Sequence, residues 1–156
     1  QRYKTTIIYE SLWEFFMRTP LPNEPTVQSL TELVHSFYAD VRADPLLSPV
    51  FEEALRDRWE PHLARMVDFW STVALGSKRF RGNVFTKHMA LQGVTPAHFA
   101  AWVRLWGEHT NRLFTPEVAH ELQTAAHGIA RNLFLGYFGR RPAFMGDDPE
   151  RAAHVH

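Results

Sequence analysis

The segment FTKHMAL, residues 85–91, sets His88 among apolar neighbours just ahead of a break at Gly93. Val84, Phe85, Met89 and Leu91 would wall its imidazole with apolar groups. A lone histidine in such a place is most often a plain core or surface residue. The same surroundings also suit a histidine that tethers an iron cofactor. A haem needs an apolar wall on its tethered side and one neutral imidazole nitrogen on the metal. The second ring nitrogen then donates to a carbonyl or a water, which fixes the tautomer.

Three further groups could share that chemistry. His62, in EPHLARMVDFW, shares a helix face with Met66 at i,i+4. It could pair with a second histidine on a metal, gate a ligand on the face opposite a tether, or simply be an exposed helix-start residue. The spacing HEXXH of a helical zinc site is absent. Phe37 and Tyr38 read as an aromatic core pair, yet a buried tyrosine hydroxyl needs a partner, and a metal-held ligand could be that partner. Trp102 and Trp106 share one face, which core packing explains. An indole N–H turned into a cavity is a donor that pH cannot remove. Lys78, Arg79 and Arg81 fall in one loop beside His88. They are either solvated surface or cations for an anionic cofactor edge.

Helices must position these groups. Val27, Leu30, Leu33, Val34, Phe37, Tyr38 and Val41 recur at helical spacing behind an N-cap at Thr26. DPLLSPVF, 44–51, holds two prolines and reads as a bent connector with room for a short helix. Pro61 suits the first turn of a long helix from Trp59 to about Gly76. A short helix then carries His88. Thr95-Pro96 and Thr115-Pro116 repeat one start signal, and the second of these helices runs to about Phe138. No stretch alternates with period two for long. The expectation is an all-α domain of about five main helices.

Composition removes several function classes. The chain has no cysteine, which excludes disulfides, iron–sulfur clusters, thiolate zinc sites and cysteine nucleophiles. Lys+Arg and Asp+Glu both total 17, so no electrostatic footprint marks a nucleic-acid or anionic-membrane partner. No apolar run approaches the roughly 20 residues of a membrane span. The N-terminus lacks signal-peptide character, since Glu10 and Glu14 interrupt its apolar part. Residues 1–16 read as an extension upstream of a start at Met17, with a docked helix as the other reading.

Taken in order, FYADVRADPLLSPVF, then WEPHLARMVDFWSTVALGSKRFRGNVFTKHMAL, then TPAHFAAWVRLW, resembles group III of the truncated haemoglobins over roughly residues 27–138. The resemblance implies a shortened globin, a two-over-two helical sandwich around haem b. It implies a proximal ligand at His88, a distal tyrosine at Tyr38 beside Phe37, a gate-like distal histidine at His62 and a distal tryptophan at Trp102. Trp102 rather than Trp106 fits the pattern HFxxW. Phe51 matches a phenylalanine packed on the haem plane, and Met66 sits one turn beyond His62, at the ligand. The residues themselves add Phe85 to the cofactor's apolar wall and Lys78, Arg79 and Arg81 as cations for its propionates. The chain departs from the pattern at Phe80, where the family commonly has tyrosine, and in residues 1–25, which lie ahead of the usual start.

The expected organisation is an N-terminal extension at 1–25, a truncated globin domain at 26–138 and a C-terminal tail at 139–156. The expected function is binding of O2, NO and CO in the cytoplasm, with nitric-oxide detoxification or O2 and peroxide chemistry left open. No flavin domain is present, so turnover would need an external reductase. The alternative is a cofactor-free helical interaction domain whose histidines are incidental.

Overall fold

A computed structural model of the chain describes residues 21, 24–76, 88 and 91–142. Most of the expected N-terminal extension and C-terminal tail, and Lys78, Arg79, Arg81 and Phe85, lie outside the described residues. Five helices are described: α1 (Val27–Ala43), α2 (Leu47–Leu55), α3 (Trp59–Leu75), α4 (Pro96–Leu113) and α5 (Pro116–Phe138). His88, between α3 and α4, is in helical conformation.

The helix ends follow local chemistry. Thr26 and Ser29 close a capping box: Ser29 N–H donates to Thr26 Oγ1 at 3.0 Å, and Thr26 N–H to Ser29 Oγ at 2.8 Å. Such a cap contributes about 1 kcal/mol. Pro96 and Pro116 open α4 and α5, where a missing N–H does no harm. Gly76 and Gly139 end α3 and α5 with φ of 67° and 66°, a left-handed geometry that a side chain would strain.

The expected connector at 44–51 is mostly helix, and α2 continues to Leu55. Asp44 explains this. Its carboxylate accepts from Leu46 N–H and Leu47 N–H, both at 2.9 Å. Pro49 then falls in the first turn, where proline is tolerated. Val27 is the exception on the apolar face of α1. It is exposed, because the first turn runs past the edge of the core.

The helices pack as two pairs. α1 lies against α3, α4 lies against α5, and α1 crosses α4, with α2 touching α1 and α4. Phe37 sits at the crossing, fully buried, edge-on to Tyr38 at 4.9 Å, Trp106 at 5.1 Å and Trp102 at 5.8 Å. Trp106 stacks on Trp70 of α3 at 4.3 Å. Its indole N–H donates to Leu122 O of α5 at 3.1 Å, so one side chain ties three helices. Each aromatic pair of this kind adds about 0.5–1.5 kcal/mol beyond burial.

A polar clasp sets the register of α1 on α4. Arg112 donates to Nδ1 of buried His109 at 3.1 Å, which leaves Nε2–H to donate to Asp40 at 2.6 Å. Asp40 is two residues from Tyr38, and His109 is two turns from Trp102, so the clasp holds together the helices that carry these two side chains. No helix among the described residues is long and apolar enough to cross a membrane.

Candidate functional site

A cleft enclosing about 840 Å3 of empty space, its open mouth included, lies between the two helix pairs. α1 contributes Tyr38, α2 contributes Leu47, Val50 and Phe51, and α3 contributes Met66, Phe69 and Trp70. His88, Leu91 and Val94 enter from the segment before α4, which itself supplies His98, Phe99 and Trp102. Ile129, Ala130, Leu133 and Tyr137 of α5 complete the lining.

The walls are apolar, and few polar groups interrupt them. Tyr38 is nearly buried, 6% exposed, and its hydroxyl has no hydrogen-bond partner among the described residues. Burial holds its phenol well above the ordinary tyrosine value, so it stays a protonated donor. Trp102 is half-buried, and its indole N–H also lacks a described acceptor. Trp106 differs: its N–H is spent on Leu122 O. The two tryptophan rings are parallel, 6.2 Å apart, with Trp102 on the cleft side and Trp106 in the core.

His88 presents a half-buried side chain to the cleft. Tyr137 of α5 fixes its backbone, donating its hydroxyl to His88 O and also contacting Leu91 O at 3.2 Å. Burial raises the Tyr137 phenol and the Leu91 contact opposes that, so the group remains a donor.

Phe37 and His62 lie one layer behind the lining. Phe37 supports Tyr38 and Trp102 from the core. His62 packs edge-on to Tyr38 at 4.9 Å and Trp59 at 6.0 Å. Its Nε2 is buried without a hydrogen-bond partner. Burial, reinforced by the nearby charges of His88 and Arg65, lowers its imidazole to about 4, so the ring is neutral at pH 7. Trp59 in turn is held by Glu52, which accepts from its indole N–H at 3.1 Å, and by Arg42 over its ring at 4.5 Å.

Comparison with known proteins agrees with this architecture. No family model matches the chain. In sequence it is 29% identical over 118 residues to the group 3 truncated hemoglobin ctb of Campylobacter jejuni, covering 72% of this chain and 93% of that protein. The crystal structure of group III truncated hemoglobin from Campylobacter jejuni superposes with a TM-score of 0.69 at 27% identity, covering 72% of this chain and 91% of that one.

The fold is that of a truncated globin. Within this truncated-globin fold the cleft lies between the crossed helix pairs and brings Tyr38, Phe51, Met66, His88 and Trp102 together from five separate segments. Sequence reasoning missed two of its polar residues, Tyr137 and His98. Tyr137 lies in the last turn of α5, and nothing in the sequence ties its hydroxyl to a carbonyl 49 residues away. For His98 a signal existed. It stands three residues after the N-cap Thr95, where a side chain can reach back to the cap, and Thr95 N–H does donate to His98 Nδ1 at 3.1 Å.

Proposed function

We propose that the cleft holds haem b, tethered through His88, and that the protein binds O2 and other diatomic ligands on the side of Tyr38 and Trp102. The carrying observation is that the His88 imidazole and the unpartnered Tyr38 O–H and Trp102 N–H line one largely apolar cleft. When bound, haem supplies reversible coordination of small diatomic molecules and one-electron chemistry. The residues present fit such a group. The lining is apolar, and Tyr137 steadies the backbone of the tether. Phe51 and Phe85 would pack on the ring, and Lys78, Arg79 and Arg81 would offer cations to its carboxylates.

The protein groups act on the ligand by donation and exclusion. Tyr38 O–H and Trp102 N–H would both donate to a ligand carrying partial negative charge, each contributing about 1.5–3 kcal/mol. Since 1.4 kcal/mol is tenfold, two such bonds slow ligand release strongly. Phe37 holds both donors from behind. Met66 fills the ligand side of the cleft. Neutral His62 packs edge-on behind Tyr38 and would gate access to the ligand side. Two donors aimed at one ligand favour nitric-oxide detoxification or O2 and peroxide chemistry in the cytoplasm over transport, with electrons from an external reductase.

Absorption spectroscopy tests the reading. Purified protein titrated with hemin should show a saturable Soret band at one equivalent, and the reduced form should bind CO. A colourless protein that takes up no hemin would instead support a cofactor-free helical interaction domain.

A further inference from the structure

We propose that His98 is a carboxylate-binding residue of the cleft, donating from Nε2–H to one of the propionates of the tetrapyrrole. The assignment rests on the haem reading above. His98 occupies the first turn of α4 and lines the cleft. Its tautomer follows from its neighbours. Thr95 N–H donates to Nδ1 at 3.1 Å, and a backbone N–H can only donate, so Nδ1 is an acceptor. Thr95 Oγ1 lies 2.7 Å from the same nitrogen. The neutral ring therefore carries its proton on Nε2.

That N–H has no acceptor among the described residues. The other polar groups of the cleft have their tasks. Tyr137 is engaged with backbone carbonyls, His88 is the tether, and Tyr38 and Trp102 face the diatomic ligand. The neighbours of His98 along the cleft, Leu91, Val94 and Phe99, offer nothing polar from their side chains. A donor in such a setting favours a charged acceptor, and the first turn of an 18-residue helix adds positive potential. A haem brings two carboxylates into a cleft lined by these groups. Thr95 and His98 thus form one unit: the cap that starts α4 also fixes which ring nitrogen can bind an anion.

The test compares hemin with hemin dimethyl ester, whose carboxylates are blocked, in the unsubstituted chain and in His98→Phe. The measurement is the rate of porphyrin loss to an excess of a haem-scavenging protein. His98→Phe should speed hemin loss by about tenfold or more, the loss of one hydrogen bond to a charged group, and leave ester loss within about twofold. His98→Gln, which keeps a donor, should restore most of the preference for the free acid. Equal acceleration of both porphyrins in His98→Phe would show that His98 serves only the cap, and would overturn the assignment while leaving the haem reading intact. No change for either would overturn it as well. Uptake of neither porphyrin by the unsubstituted chain would overturn the haem reading and this assignment with it.

Discussion

His62 meets Tyr38 edge to face, ring centroids 4.9 Å apart, with its Nε2 buried and unpartnered. Two polar aromatic groups thus share one desolvated corner, and each is held in its neutral form. The unfolded chain takes up a proton on this imidazole near pH 6.5, the folded chain only near pH 4. The stabilising effect of a neutral His62 is therefore complete above about pH 6.5 and is lost as pH falls toward 4. The shift sets an upper bound of about 3 kcal/mol, reduced by the part of the ring that solvent reaches. Urea unfolding at pH 7.0 and 5.0, as typical conditions, should show a clear loss of stability at the lower pH. In His62→Phe that difference should shrink by about 1–2 kcal/mol. An equal pH dependence in both proteins would remove His62 as its source.

Tyr38 and Trp102 offer free donors to the diatomic ligand, and their removal should be felt by the ligand more than by the fold. Tyr38→Phe and Trp102→Phe should each speed O2 dissociation by about tenfold or more. The double variant should depart from the product of the single effects if both donors reach one ligand atom. Stopped-flow rates unchanged in both single variants would eliminate this pair.

Trp106 should behave in the opposite way. It is 1% exposed and ties α3, α4 and α5 together. Trp106→Phe removes its bond to Leu122 O and leaves a void against Trp70. The expected cost is about 2–3 kcal/mol. That corresponds to a fall in Tm of about 5–10 °C for a chain of this size. Ligand dissociation should change much less than in Trp102→Phe. A variant with unchanged Tm and fast ligand loss would reverse the roles assigned to the two tryptophans.

Tyr137→Phe should loosen the tether while sparing the helices. Its hydroxyl is bound to backbone carbonyls of the segment that carries His88. Losing it should cost about 1 kcal/mol and raise the rate of hemin loss several-fold. Far-UV circular dichroism should stay the same. Hemin retention identical to the unsubstituted protein would mean that the segment is positioned by other contacts.

The helices were legible because their ends are written in short local signals. Thr26, Thr95-Pro96 and Thr115-Pro116 mark starts that a reader of the chain can place to the residue. α2 was harder, since Pro45 and Pro49 suggest a connector until the carboxylate of Asp44 is seen to cap the turn. The cleft was only partly legible. Trp70 is nearly buried in the core and yet lines the cleft, a double role that helical periodicity cannot encode. Periodicity separates a buried face from an exposed one, not a wall facing a cofactor from a wall facing another helix. Resemblance to a family marked Tyr38, His62, His88 and Trp102, whereas Tyr137 depends on a contact across the fold and His98 on a local one with Thr95. Phe37 read as a core aromatic beside Tyr38 and stands there, edge-on to Tyr38 and Trp102, while His62, read as a gate-like distal histidine, packs against Tyr38.

The most direct measurement is hemin uptake by the unsubstituted chain, by His88→Ala and by His62→Ala, followed in the Soret region with and without added imidazole. The account predicts a saturable one-to-one complex for the unsubstituted chain and for His62→Ala. It predicts loss of stable retention in His88→Ala, with recovery when imidazole is supplied. Equal retention by both variants, or no uptake by the unsubstituted chain, would contradict it.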